Sequence, residues 1–572
     1  ALWVGPRHLL QPLGHALEQA VAAGVAVHVV DLLEAVEVEH DHGQRARLGI
    51  IIGVLALLVG GLVLYVWSQL PKADGEPPIL QTELFQKPKT ELPCEGKYIF
   101  KSATELATLI KTRKASSVEI TTEFINYIKN NNYKTNAFVW LFEKEALEAA
   151  KRADEITQRA ENTGLLHGVP VCIKEEFWVK GHPSTWNSSQ FQNFMAPRNA
   201  AIVDAWLAEG AVILGTTNVP RMLIDMQTAG EIYPEAHNPY DVKRTPGGST
   251  GGGAAAVASA FCPLSLGGDM GGSIRVPAAY CGIYGLKTTE ESMGRHFGSS
   301  PDTTGNHHYY RLAVAGPMAR TIDDIDLGWK ALIKPWYQNN KWLVVDTTKS
   351  LSSYKIAWFG ELQLPNDKIS VSSDVLTKLN QLVSNLNKEG VNTNNVQPPK
   401  LAEMRQMHML LMAYMVFAKQ PWIIRQLIKH EFESGTPLKI DMSEGLERIG
   451  DADEEEYEKI LKRREALKQS LEDFFKQYDF LIMPITIGPA MVKNPNHEPI
   501  EINGKNMEYW DQFHYPMFFN ATGHPALTIP LGLNDQGLPI AVQLVGPMFS
   551  EQRLIHFAKM IEKLHEGYVA PK

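Results

Sequence analysis

Gly247-Gly248-Ser249-Thr250-Gly251-Gly252 and Gly268-Asp269-Met270-Gly271-Gly272-Ser273-Ile274-Arg275 set two serines in glycine-rich surroundings, with small apolar residues between them. A serine that attacks a carbonyl needs open space at its oxygen and backbone N–H groups aimed at the forming oxyanion. Flanking glycines provide the space and allow consecutive N–H groups to turn toward one point. The run Met270-Gly271-Gly272-Ser273 therefore reads as an oxyanion hole made by the N–H groups of Met270, Gly271, Gly272 and Ser273, closing on the nucleophile Ser273 itself.

A serine nucleophile also needs a base within hydrogen-bond reach. No histidine lies in this stretch, but upstream Val169-Pro170-Val171-Cys172-Ile173-Lys174-Glu175-Glu176 ends a short strand-like apolar run in a lysine. A lysine acts as a base only as the neutral amine, which desolvation or a neighbouring cation favours. Asp269 and Arg275 flank the oxyanion run and read as a pair that holds its backbone.

Further landmarks follow in order: Cys281-Gly282-Ile283-Tyr284-Gly285-Leu286-Lys287, then Ala315-Gly316-Pro317-Met318-Ala319-Arg320-Thr321 with Asp323-Asp324, then Asn520-Ala521-Thr522-Gly523-His524-Pro525-Ala526 and Gly537-Leu538-Pro539-Ile540-Ala541-Val542-Gln543. The ordered set resembles the amidase signature family of serine hydrolases, and within it the fatty acid amide hydrolase branch, over roughly residues 100–570. The resemblance implies a Ser-Ser-Lys triad with Ser273 as nucleophile, Ser249 as bridging serine and Lys174 as base. It also implies a cis Gly248–Ser249 peptide, no metal and no organic cofactor. Three positions depart from the family pattern: Thr250 where a second serine is usual, Gly253 where a side chain is usual, and Thr288 where proline is usual.

Alternating strand-like and helical segments imply an α/β sheet with helices on both faces. The family's fold, a mixed central β-sheet covered by helices in one large domain, agrees. Residues 102–129 read as two helices opened by the capping box Ser102-Ala103-Thr104-Glu105, residues 142–159 continue the helical spacing, and 169–173 and 211–214 read as strands. The apolar, methionine-rich stretch 407–430 reads as a helical hairpin packed on the core, with a membrane-surface helix as the alternative.

Residues 48–70 carry no charge and at about 1.5 Å per residue are long enough to cross a hydrocarbon core of about 30 Å. They read as one transmembrane helix ahead of the enzyme, with Tyr65 and Trp67 at the interface. Arg45 and Arg47 before it, against Lys72 after it, place the catalytic domain on the non-cytoplasmic side. The domain plan is then an extension at 1–47 that lacks lysine, is assigned no role and reads as non-native, the anchor at 48–70, a linker at 71–99 and the amidase domain at 100–572.

The net charge of −9 over 572 residues gives no reason to expect nucleic acid as a partner. The four cysteines, Cys94, Cys172, Cys262 and Cys281, read as unpaired core residues, and His40, His42, His307 and His308 as loop histidines without a ligand set. The expected activity is a membrane-anchored serine amidase cleaving fatty or other apolar acyl amides through an acyl-enzyme. Its partners are a lipophilic small-molecule amide and the lipid bilayer, and a homodimer is compatible with it. The alternatives are an enzyme like the glutamine-hydrolysing subunit of a tRNA-dependent amidotransferase and a catalytically silent binding homologue.

Overall fold

The computed structural model describes residues 77–161, 163–293, 311–336, 344–365, 367–417 and 454–572. The expected anchor at 48–70 and extension at 1–47 lie outside these, as do His307 and His308. Among the described residues no helix is long and apolar enough to cross a membrane.

The main sheet is built from β1 (Phe138–Leu141), β2 (Pro170–Lys174), β3 (Val212–Thr217), β4 (Leu264–Asp269), β5 (Tyr284–Lys287), β6 (Val314–Ala319), β7 (Lys355–Trp358), β8 (Asn392–Asn395), β9 (Phe480–Pro484), β10 (Ala526–Leu533) and β11 (Pro539–Val545). Its order is β1-β3-β2-β4-β6-β5-β10-β11-β9-β7-β8. Strands β3, β2 and β4 run parallel, as do β9, β7 and β8, while the strands between these groups pair antiparallel, so the sheet is mixed.

Helices cover both faces because the strand side chains alternate between two apolar clusters. Val171 and Ile173 of β2 join the cluster that also holds Trp206, Trp329 and Leu554, whereas Cys172 joins the cluster of Phe124, Ile128 and Val257. Lateral order comes from the same pattern: β2 is buried along its whole length, as a parallel strand with helices above and below should be.

The helices used below are α1 (Ala103–Lys111), α2 (Ser117–Asn131), α3 (Glu143–Gln158), α4 (Gly251–Ala258), α5 (Arg275–Tyr280), α6 (Ile322–Ile333), α7 (Leu401–Phe417), α8 (Glu454–Phe475) and α9 (His514–Thr522). The capping box at Ser102 forms as expected: its hydroxyl accepts from Glu105 N–H at 3.0 Å, and Glu105 accepts from Ser102 N–H at 2.8 Å. The helical reading of 407–430 holds for α7, whose Met407, Leu410, Leu411 and Tyr414 are buried; residues 418–430 lie outside the described set.

One expectation is corrected. Cys172 on β2 and Cys262, just ahead of β4, are joined as a disulfide with Cα atoms 6.2 Å apart, because the two strands are parallel neighbours. Cys281 is free and buried, and Cys94 free and half-buried.

Asp324 on α6 shows how distant elements are tied. Its buried carboxylate accepts from Ala103 N–H, Thr104 N–H and the Thr104 hydroxyl, each at 2.9 Å, and so serves as a second cap for α1. Asp324→Ala leaves those donors unpaired and should cost about 1.5–3 kcal/mol in urea unfolding, with catalytic geometry intact.

Candidate active site

Strands β2 and β4 are parallel neighbours, so their C-terminal ends open on the same edge of the sheet. Lys174 ends β2, and Asp269 ends β4 immediately before the oxyanion run. Ser249 sits in the turn that leads into α4, and Ser273 two residues ahead of α5. All three proposed triad residues, Lys174, Ser249 and Ser273, are buried at this edge.

Lys174 Nζ donates to Ser249 Oγ at 2.9 Å and to the Gly268 carbonyl at 3.4 Å. The Gly248–Ser249 peptide is cis. Thr250 N–H donates to the Ser273 carbonyl at 3.1 Å, which joins the two serine segments through the backbone. Glu176 makes a close ion pair with Lys174. Of the two expected means of activation, burial at the strand end is present, whereas the charged group beside the lysine is a carboxylate and not a cation.

Asp269 and Arg275 form a fully buried pair, as the sequence suggested. The Asp269 carboxylate accepts from Gly272 N–H at 2.8 Å, Ile274 N–H at 3.1 Å, Arg275 Nε at 3.0 Å, Arg275 Nη2 at 2.9 Å and Asn520 Nδ2 at 2.9 Å. Burial opposes its ionisation, but the Arg275 charge and these hydrogen bonds hold it far below the usual carboxylate range. The Gly272 N–H is thereby committed. Of the four N–H groups expected to form an oxyanion hole, that of Gly272 is taken by Asp269, while those of Met270, Gly271 and Ser273 have no protein acceptor among the described residues.

Two glycines are required by close approach. A Cβ on Gly272, which has φ of 120°, would lie 2.8 Å from Pro516 Cγ, and one on Gly253 would lie 2.7 Å from Ser265 Oγ and 3.0 Å from the Thr250 methyl. Thr250 and Gly253 thus compensate each other: the threonine methyl occupies space that a side chain at 253 would enter, while its hydroxyl donates to the Gly268 carbonyl at 3.1 Å. Thr288 bonds the Ala315 carbonyl at 2.9 Å.

Sequence reasoning missed several residues around the site. His408, on α7, donates from Nε2 to the Met270 carbonyl at 3.0 Å, and burial pulls its pKa down to about 4, so it is neutral. The available signal was a lone histidine in an apolar helical stretch. Lys287 is buried behind the loop and donates to the His524 carbonyl at 2.8 Å; burial, then the nearby Arg275 charge, lowers its pKa to about 7. Glu175 is buried among Thr185, Trp186 and Tyr233, and burial raises its pKa to about 7.

With this geometry in hand, comparison with known proteins is informative. The Amidase family profile matches residues 119–555. The chain belongs to the amidase family.

Among curated relatives, a glutamyl-tRNA(Gln) amidotransferase subunit of Clostridium botulinum (strain Eklund 17B / Type B) is 30% identical over 493 residues, covering 81% of this chain and 98% of the relative. The same subunit of a Nostoc species is 29% identical over 490 residues, covering 81% and 97%. Among solved structures, a fatty acid amide hydrolase superposes with a TM-score of 0.69 at 24% identity, covering 84% of this chain and 87% of that one. The corresponding glutamyl-tRNA(Gln) amidotransferase subunit from Thermotoga maritima superposes at 0.64 and 20%, covering 84% and 99%. The structural likenesses speak for the fold. The expected fatty acid amide hydrolase branch is not singled out, because the sequence relatives carry the amidotransferase name. The family match and the sequence relatives support an amide-hydrolysing enzyme.

Asp269 should dominate the acid side of the stability profile. It stays ionised in the fold far below the value of about 3.9 at which an unfolded aspartate protonates. Its contribution is full above that value and is lost as pH falls below it, toward the depressed folded value, because the unfolded chain then binds the extra proton. Asp269→Asn should remove this acid-side slope and lower stability by about 3–5 kcal/mol at neutral pH, since Arg275 is left buried without its counter-ion. Urea unfolding from about pH 1.5 to 7 reads both effects.

Proposed function

We propose that this chain is a serine amidase that cleaves a carboxylic amide through an acyl-enzyme on Ser273, with Ser249 as relay and Lys174 as base. The observation that carries this reading is the 2.9 Å contact from Lys174 Nζ to Ser249 Oγ, beside an oxyanion loop that ends in Ser273. Neutral Lys174 takes a proton from Ser249 as Ser249 takes that of Ser273, and Ser273 Oγ bonds to the carbonyl carbon. The carbonyl oxygen becomes an oxyanion facing the free N–H groups of Met270, Gly271 and Ser273. The same path returns the proton to the nitrogen, which leaves as the neutral amine, and water then releases the acid.

Two substrate readings each have support. The amidotransferase relatives, spanned nearly end to end, favour a primary carboxamide such as that of glutamine, with ammonia as the leaving group passed to a partner protein. The apolar character of the core next to the nucleophile favours an apolar acyl amide. Val276 of α5 clusters there with Met226, Met491 and Tyr509, and Trp510 and Phe513 pack on the cluster. Phe513 Cδ1 comes within 3.9 Å of the point where a Gly271 side chain would begin. A panel of glutamine and short-, aryl- and long-chain acyl amides, scored by ammonia or amine release, separates the two.

Ser273→Ala should abolish turnover in a folded protein, and Lys174→Ala should lose most activity at neutral pH. Amide hydrolysis by folded Ser273→Ala within tenfold of the native rate overturns the assignment. The uncharged stretch 48–70 enters the proposal as a membrane tether on the strength of its sequence alone. A chain that starts at residue 72 should therefore keep hydrolysing a water-soluble amide and lose sedimentation with membranes; retained sedimentation would remove the tether from the proposal.

A further inference from the structure

Glu176 has no part in the triad, yet it is the charged group nearest to the base. The turn after β2 puts it there: Phe177 N–H donates back to the Lys174 carbonyl at 2.9 Å, so Glu175 and Glu176 occupy the two central turn positions. Ser184 Oγ donates to the Glu175 carbonyl at 3.0 Å and the Glu176 carbonyl at 3.3 Å, which pins the turn. Glu175 points away and is held by Thr185, Trp186 and Tyr233. Glu176 folds over the strand end against β4, where its carboxylate lies 2.9 Å from the point at which a Gly268 side chain would begin. A side chain there would press on the carboxylate that meets Lys174.

The lysine nitrogen has three positions for hydrogen-bond partners. The Gly268 carbonyl accepts one N–H, and the Glu176 carboxylate lies against another side of the nitrogen as its counter-ion. The third position faces Ser249 Oγ, the one partner of the three that can donate a hydrogen bond as well as accept one. When Lys174 is the neutral amine, its lone pair is therefore directed at the bridging serine.

We propose that Glu176 is a positioning residue for Lys174: it aims the amine at Ser249 and stabilises the ammonium that forms when the Ser273 proton arrives. This rests on the amidase reading above. The role of Glu176 toward Lys174 parallels that of the buried aspartate toward histidine in a Ser-His-Asp triad. The other charged groups facing this corner are accounted for. Glu175 of the same turn is turned away, and Asp269 of β4 is neutralised by Arg275 of α5. His408 of α7 is neutral and bonded to Met270.

A carboxylate touching the base has two opposed effects, and together they are diagnostic. It favours the ammonium in the resting enzyme, which moves the acid limb of the pH–rate profile to higher pH. It also favours the ammonium in the transition state, which raises the rate once the base is free. In Glu176→Gln the acid limb should therefore move about one to three pH units downward, while the alkaline plateau falls by about tenfold or more. Glu176→Asp, which keeps the anion, should leave the limb near its native position. Gly268→Ala, which displaces the carboxylate, should resemble Glu176→Gln.

The rate of labelling by a fluorophosphonate probe, measured from pH 5 to 10 on the full chain, reads these effects without knowledge of the substrate. Circular dichroism checks that each variant is folded. An unshifted limb in folded Glu176→Gln, with labelling still dependent on Ser273, overturns the role of Glu176 and leaves the triad standing. Labelling that persists in Ser273→Ala overturns the amidase reading at its nucleophile, and the role of Glu176 with it. If Glu176→Gln does not fold, an unshifted limb in Gly268→Ala overturns the proposal equally.

Discussion

The buried pair of Asp269 and Arg275 is the constraint on which the catalytic edge depends. Moving two such charges out of water costs several kcal/mol each, so the pair persists only where every remaining donor and acceptor is met. Here they are met across the fold. Arg275 Nη1 donates to the Pro516 carbonyl at 2.8 Å and to Gln543 at 3.0 Å, and Nη2 to Asn520 at 2.5 Å. Asp269 gathers the N–H groups of Gly272 and Ile274. One ion pair thus joins the end of β4, the start of α5, helix α9 and strand β11, and the shape of the oxyanion loop follows from it.

Given that loop, the positions around it have little freedom. Pro516 presses on Gly272, Ser265 and Thr250 fill the space above Gly253, and His408 ties the Met270 carbonyl to α7. The exchange of a side chain at 253 for a methyl on Thr250 shows how a close-packed interior accommodates a departure from a family pattern: volume is kept near the reacting groups even though its owner changes. The hydroxyl needed by the backbone survives the exchange. The same economy of space explains why Gly268 matters, since a side chain there would crowd the Glu176 carboxylate.

Much of this was legible in the residues themselves. Glycines around Ser249 and Ser273 signal backbone geometry that only glycine tolerates, the apolar run before Lys174 signals a buried strand, and Ser102 with Glu105 signals a helix start. Each is a local property, encoded by steric or hydrogen-bonding rules that act over a few residues. The ordered motifs also carried the resemblance to the family that the match over residues 119–555 shows.

What only the tertiary structure decided are the contacts between residues far apart in the chain. The bonding of Cys172 to Cys262 required β2 and β4 to be neighbours, and the commitment of the Gly272 N–H required the Asp269 carboxylate to fold back over its own loop. The reach of His408 to Met270 spans 138 positions. Glu176 is the sharpest case, since it stands two residues after the base and yet its side chain could have faced solvent. The sequence alone determined where the glycine-flanked serines and the strand-ending lysine stand, because these are short-range patterns. Which charge meets the base was decided by how the turn after β2 packs on β4, and pairing across strands is a property of the assembled sheet.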